Sequence, residues 1–280
     1  MIDYKKYGDR LVVGVSGGKD STAVCLHLLE NGFSKSDFDR VFIDTGWESP
    51  ITYEYLNRLE GLIGSITRIK KEIPIPEEHK EFCLHIESLL GFESPFVRRL
   101  LKYLHFSRGN QKWCTGVLKV EPLREYFYQM EDEPINVVGI RKEESAKRSA
   151  LEEWEYAKHF DCYVWRPIIN WREQDVINIH HRFGLVPNPL YLSGNMPRVG
   201  CWPCINANKH SIANIDEDRI RIVEKLEKYV CEKTNRKASF FYYKTIREAI
   251  EWSKTSYGGK QYFLFDTTEP TCRKWGMCGV

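Results

Sequence analysis

The chain has 280 residues, 42% hydrophobic and 29% charged, with 41 Lys and Arg against 39 Asp and Glu for a net charge of +2. That apolar content excludes a disordered chain, and the near-balance of charge leaves a polyanion partner only a local patch to meet. No apolar run nears the roughly 18 residues of a membrane-spanning helix, the first ten residues carry no export signal, and nine cysteines are too few for a disulfide scaffold, so a cytoplasmic protein with reduced thiols is expected.

In chain order, Leu11-Val12-Val13-Gly14-Val15 is a short apolar run ending in a Gly/Ser turn and predicts a buried strand. Thr22 to Asn31 carries apolar residues at helical spacing and stops at Gly32. Arg40 to Asp44 predicts a second strand, Thr52 to Ile63 a second helix, and Ser65 to Ile69 a third strand. Residues 77–112 predict a helical insertion. Its stretch 98–112 is basic and aromatic (Arg98, Arg99, Lys102, Tyr103, His105, Phe106, Arg108, Lys112), which suits a nucleic-acid surface or, equally, a solvated amphipathic helix. Pro134 to Gly139 and Tyr163 to Ile168 predict two further strands, and Asp216 to Tyr229 and Tyr243 to Ser253 two closing helices. Strands alternating with helices imply an α/β fold, a doubly wound and mainly parallel sheet, over residues 1–205, with a smaller helical part over 206–280.

Between the first strand and first helix stands Ser16-Gly17-Gly18-Lys19-Asp20-Ser21. Its glycines let the backbone approach an anion, and the helix start adds amide donors and a favourable dipole. Ser16 and Ser21 add hydroxyls and Lys19 a charge, while Asp20 either orients the loop or binds Mg²⁺. The Walker spacing is absent. Cys201-Trp202-Pro203-Cys204 would let one metal centre take two thiolates from a single turn. Reduced cysteines without metal remain the plain alternative. Cys25, on the apolar side of the first helix, predicts a core residue.

Ser16 to Ser21 resembles the PP-loop of ATP pyrophosphatases, which cleave ATP between the α- and β-phosphates. More narrowly, the chain resembles the phosphoadenylylsulfate (PAPS) and adenylylsulfate (APS) reductase family. The likeness covers Asp44-Thr45-Gly46, Trp113 to Leu123, Gly139-Ile140-Arg141 through Arg148, Trp165 to Ile168, Asn188 to Tyr191 and Gly200 to Cys204, in the same order. It implies an adenine nucleotide α-hydrolase-like fold. It also implies a nucleotide site of Ser16, Gly17, Gly18, Lys19, Asp20, Ser21, Asp44, Thr45, Gly46, Gly139, Arg141 and Arg148, with Lys19 and Asp20 as catalytic groups. Arg141 and Arg148 suit bidentate recognition of phosphate or sulfate.

In APS reductases that hold a [4Fe-4S] cluster, the ligands are a Cys-Cys pair and the later Cys-x-x-Cys. Here Cys114 matches the first of the pair and Thr115 replaces the second, so Cys114, Cys201 and Cys204 need a fourth ligand from Cys272 or Cys278. Four thiolates suit the cluster or zinc. The family's reductases end in Glu-Cys-Gly-(Ile/Leu)-His; this chain has Met277-Cys278-Gly279-Val280, so Cys278 is either a nucleophile or a ligand.

The resemblance implies one of two activities. The first is an ATP pyrophosphatase that adenylates a substrate, with Mg²⁺, and lets sulfur displace AMP, as in DNA phosphorothioation or tRNA thiolation. A cysteine desulfurase or another sulfur donor would be its partner. The second is a thiol-dependent APS or PAPS reductase. The intact loop, the single upstream cysteine and the altered tail favour the first.

Overall fold

The computed structural model describes residues 4–109, 112–192, 196–256 and 271–277. In chain order the elements are β1 (Arg10–Gly14), α1 (Lys19–Glu30), β2 (Phe38–Asp44), α2 (Pro50–Ile63), β3 (Thr67–Lys70), α3 (Lys80–Leu90) and α4 (Pro95–Tyr103). Next come α5 (Trp113–Thr115), which runs through a π-helical turn at Gly116–Val120 into α6 (Glu121–Tyr128), then β4 (Pro134–Val137), α7 (Ala146–Ser149), β5 (Trp154–Ala157) and β6 (Cys162–Trp165). The chain continues with α8 (Glu173–Arg182), α9 (Pro189–Leu192), α10 (Lys209–Ala213), α11 (Glu217–Thr234), α12 (Ile246–Ser253) and α13 (Thr271–Lys274).

Six strands form one sheet in the order β3-β2-β1-β4-β6-β5. All pairings are parallel except β5 with β6, which is antiparallel. Alternate residues of β1 and β2 face opposite layers, as strand geometry requires. Leu11, Val13, Phe38 and Phe42 pack with Leu26, Leu56, Val176 and Ile179 of α1, α2 and α8, while Val12 and Val41 pack with Leu123 and Phe127 of α6. The sheet is therefore covered on both faces. Its order reverses between β1 and β4, the position where a doubly wound sheet opens a crevice at its strand ends.

A second core lies outside the sheet. Trp47, Leu100, Phe106 and Trp113 share it with Tyr191, Trp202, Val223, Leu226, Phe240, Ile246 and Trp275. Residues on both sides of the expected 205/206 boundary therefore pack in one cluster.

Several elements depart from the sequence expectations. The third strand starts at Thr67 rather than Ser65 and runs to Lys70, in register with Val41 to Asp44 of β2. The antiparallel edge strand β5 is an addition. Its alternation of Trp154 and Tyr156 with Glu153 and Glu155 is masked by the charged run before it. The insertion is two helices, α3 and α4, and ends at Leu104, which takes a left-handed conformation. Helix α11 starts where its N-cap Asp216 accepts a hydrogen bond from the Arg219 amide, and it runs five residues past Tyr229 to Thr234, where a left-handed Asn235 stops it.

Candidate functional site

The loop after β1 is closed by its own side chains. The Ser16 amide donates to Ser21 Oγ at 3.1 Å, and Ser21 Oγ donates to the Gly18 carbonyl at 3.0 Å. Gly17 has φ +71 and lies so close to α2 that a Cβ would stand 2.9 Å from the Thr52 methyl, so the position requires glycine. Asn188 Nδ2 donates to the Gly17 carbonyl at 3.2 Å, and the Lys19 amide donates to the Tyr191 hydroxyl at 3.0 Å. The loop thus meets the start of α1, whose first-turn amides lack intrahelical acceptors and suit an anion.

Charge balance around the loop is close. The Lys19 ammonium is buried, 3.7 Å from Asp20 and 3.5 Å from Glu173, and 5.1 Å from the centre of the Tyr191 ring. Asp20 accepts a 2.5 Å hydrogen bond from Arg141 Nε, and the same guanidinium also pairs with Glu143. Asp20 is placed as the residue that locks the loop to the segment after β4. Gly139 is what permits that approach, since a Cβ there would lie 2.6 Å from the Asp20 carbonyl oxygen. Arg148 sits on α7 paired with Glu144. A recess of about 480 Å³ opens beside these groups, lined by Glu143, Arg172, Glu173, Arg273 and Lys274 among others.

At the end of β2, Asp44 accepts hydrogen bonds from the Gly46 amide (2.8 Å) and the Tyr53 hydroxyl (2.6 Å) and lies 3.8 Å from Lys70. Gly46, at φ +64, lets this turn press against Ser94 and Pro95 of the insertion. Thr45 Oγ1 donates to Glu48 Oε1 at 2.8 Å and stands 4.0 Å from Cys201 Sγ.

The cysteine turn is clamped by distant segments. The Trp202 amide donates to the Trp47 carbonyl (2.7 Å), and Trp47 Nε1 donates to the Pro203 carbonyl (3.0 Å). Trp202 Nε1 donates to Asp216 at 2.6 Å, and Arg219 Nη2 donates to the Glu48 carbonyl at 3.1 Å while its guanidinium lies over the Trp47 ring. Cys201 Sγ lies 3.7 Å from Glu48 Oε1. Desolvation pushes its thiol up to about 12, against the opposing pull of the nearby Lys119 ammonium. Lys119 is held firmly charged by Cys201, Glu48 and Cys204 around it. Cys114 Sγ accepts from Ser107 Oγ at 3.2 Å, and Cys204 Sγ accepts from the Asn206 amide at 3.5 Å. Ser107 and Asn206 line one cavity of about 380 Å³.

Cys114 and Cys204 thus flank one cavity through Ser107 and Asn206, and Cys201 stands in the same turn as Cys204. Among the described residues, no three His, Cys, Asp or Glu side chains converge as a metal site. Of the two candidate fourth ligands, Cys278 lies outside the described residues, and Cys272 is placed only by its backbone in α13. Trp275, just past α13, is 1% exposed and packs against His180 and Tyr191, while Lys274 reaches Glu173 at 3.1 Å. Cys25 is fully buried in the sheet core.

The basic stretch divides. Leu100, Leu101 and Phe106 are core, and Arg98 pairs with Glu87 and Glu93. Lys102, Tyr103 and Lys112 face solvent. Sequence reading assigns no role to Glu48, Lys119 or Arg219. Arg219 carries no local signal, because the Glu48 carbonyl that it reaches lies far along the chain, and Glu48 meets Cys201 as well as its near neighbours Thr45 and Tyr53. Among the described residues no helix is long and apolar enough to cross a membrane.

A model of the phosphoadenosine phosphosulfate reductase domain matches residues 10–207. An uncharacterized 37.8 kDa protein of Escherichia phage 186 is 31% identical over 96% of both chains. The adenosine 5'-phosphosulfate reductase of Anoxybacillus flavithermus is 29% identical over 72% of this chain and 75% of its own. The crystal structure of phosphoadenylyl-sulfate reductase from Candida auris superposes with a TM-score of 0.51 at 18% identity, over 70% of this chain and 82% of its own, a likeness of fold.

Proposed function

The chain belongs to the phosphoadenosine phosphosulfate reductase family, and from that premise we propose that it is an ATP pyrophosphatase working in sulfur transfer. The observation that carries this reading is the complete Ser16–Ser21 loop, closed by its own hydroxyls and fixed through Asp20 to Arg141 at the β1/β4 crevice. A substrate oxygen attacks the α-phosphorus of ATP, forming a substrate adenylate as the bond to the β-phosphate oxygen breaks and pyrophosphate leaves. Sulfur from a donor then attacks the carbon or phosphorus that bears the adenylated oxygen, the bond to that oxygen breaks, and AMP leaves with it. The loop amides stabilise charge on the departing pyrophosphate, and Mg²⁺ would share that work. Nucleic acid, DNA or tRNA, is the acceptor class in this reading.

Cys114, Cys201 and Cys204, with Cys272 or Cys278, would hold a [4Fe-4S] cluster, with zinc as the alternative. Such a cluster, when bound, supplies an iron site able to carry sulfur or electrons. The protein's own part is to keep the cysteine turn against the β2 loop, where Cys201 stands 4.0 Å from Thr45.

The reductase reading has equal support from the family itself and from the relative named an adenosine 5'-phosphosulfate reductase. In it a cysteine thiolate attacks the sulfur of APS or PAPS, the sulfur–oxygen bond to the nucleotide breaks and the nucleotide leaves, and an external dithiol then displaces sulfite from the S-sulfocysteine and ends as a disulfide. One experiment separates the two. Purified protein is given ATP with Mg²⁺ in one reaction, and APS or PAPS with a dithiol in another. Pyrophosphate without sulfite is the expected result; sulfite from the second reaction and no pyrophosphate from the first would establish the reductase.

A further inference from the structure

Resting on the sulfur-transfer reading, we propose that the cavity beside Cys114 and Cys204 is the acceptor site, and that it takes one nucleotide of a single-stranded nucleic acid. The position comes first. Ser107 in the cavity wall donates a hydrogen bond to Cys114 Sγ, and the amide of Asn206, also in the wall, donates to Cys204 Sγ, so an occupant lies one residue from two thiols. None of the residues of the Ser16–Ser21 loop lines it, so the cavity grips the strand beside the cysteines and the oxygen to be adenylated belongs to a neighbouring part of the strand that reaches the loop.

Its chemistry is one-sided. Arg108 and Lys112 are the charged groups of the lining, and no carboxylate joins them among the described residues. Tyr242 forms part of the wall and is 53% exposed, and its neighbour Tyr243, in edge contact at 4.0 Å, is 74% exposed. Two adjacent tyrosines left in water beside cations offer stacking faces next to phosphate partners, the combination by which single strands are held.

The same character continues along α4. The Arg99 guanidinium lies 3.5 Å from the centre of the Tyr103 ring and 5.4 Å from that of Trp113, the residue after Lys112. One guanidinium nitrogen of Arg99 and the indole nitrogen of Trp113 are buried without a hydrogen-bond partner among the described residues. At about 380 Å³ the cavity has the size of a small-molecule pocket. An unstacked nucleotide can enter such a space, whereas a duplex keeps its bases inside.

The test is fluorescence anisotropy of the full chain with labelled DNA and RNA single strands of about 12 nucleotides, and with a duplex of the same composition, across a salt series. Single strands are expected to bind more tightly than the duplex, and the tighter of the DNA and RNA arms identifies the acceptor. Arg108→Ala with Lys112→Ala is expected to weaken binding about 10-fold and to flatten the logarithmic salt slope by about 1.4, the share of two phosphates on a single strand. Tyr242→Ala is expected to weaken binding about 5-fold or more through lost stacking while leaving the slope unchanged. Melting temperatures identify any variant that has failed to fold, and Tyr242→Phe, which keeps the ring, should then bind like the parent. Equal affinity for duplex and single strand, or wild-type affinity in the folded variants, would overturn the proposal. Strand binding without pyrophosphate release would leave this site standing and remove the ATP reading; pyrophosphate release without strand binding would do the reverse.

Discussion

The turn at Ser16–Ser21 closes through bonds between residues at most five apart, from Ser16 to Ser21 and from Ser21 and Thr22 to Gly18. The turn at Cys201–Cys204 is held by Trp47, Glu48, Lys119, Asp216 and Arg219, none nearer than a dozen residues along the chain. The layers beneath them differ in the same way. Under the first lie mainly aliphatic strands and helices of the sheet, and around the second a core rich in Trp and Phe drawn from the insertion and the C-terminal helices. A site written in one short segment tolerates loss of a side chain without loss of fold, whereas a site assembled from four segments depends on the packing that brings them together.

Four measurements press on that contrast. The largest effect is expected at the cysteines themselves. Protein purified without oxygen should contain about four irons per chain, and Cys201→Ser or Cys204→Ser should each remove them. One zinc in a colourless protein would instead mark a structural site of four thiolates. Next is Trp47→Ala. It deletes a side chain 1% exposed, stacked on Phe96 and bonded to Pro203, and should cost about 3–5 kcal/mol in urea denaturation. A loss below about 1 kcal/mol would mean that the cysteine turn stands without its packing.

Asp20→Ala reverses the balance between activity and stability. Pyrophosphate release should fall at least 100-fold, about 2.7 kcal/mol of barrier, while Arg141 keeps Glu143 and the melting curve moves little. Turnover near that of the parent would show that the short segment is not the working part.

The smallest effect is a pH dependence confined to the helical core. Glu227 accepts hydrogen bonds from the Phe240 and Ile246 amides, yet burial pushes its carboxyl up to about 7. A carboxyl that ionises less readily folded than unfolded adds stability that is complete below its unfolded value of about 4.3 and is lost as pH rises through about 7. Stability should therefore fall by about 2 kcal/mol between pH 5 and 8, and Glu227→Gln should flatten that slope. An unchanged slope in the variant would assign the dependence elsewhere.

The same contrast governs what the sequence discloses. The first strand, the glycine loop and the helix after it are legible because strand, turn and helix each carry a short-range signal, and the β1/β4 crevice follows from strand alternation. Asp216 is legible as a helix start for the same reason. Glu48 and Arg219 are not. One looks like a loop carboxylate and the other like part of a solvated helix, and only the fold brings the Arg219 guanidinium to the Glu48 carbonyl. Gly139, expected in the nucleotide site, also serves as a spacer against Asp20, a role set by a 2.6 Å clearance that no spacing rule encodes.

Trp275 gives the nucleotide loop a schedule as well as a shape. Lys19 is translated well before Trp275, but the Tyr191 whose hydroxyl accepts from its amide has Trp275 packed against its ring, and Lys274 pairs with the same Glu173 that faces Lys19. The chain is made from its N-terminal side, so the sheet strands and their loop are synthesised while the backing of that loop is still untranslated. A nascent chain stopped before residue 271 should present the loop without that backing. Its affinity for adenine nucleotide should rise in a second step when translation passes Trp275.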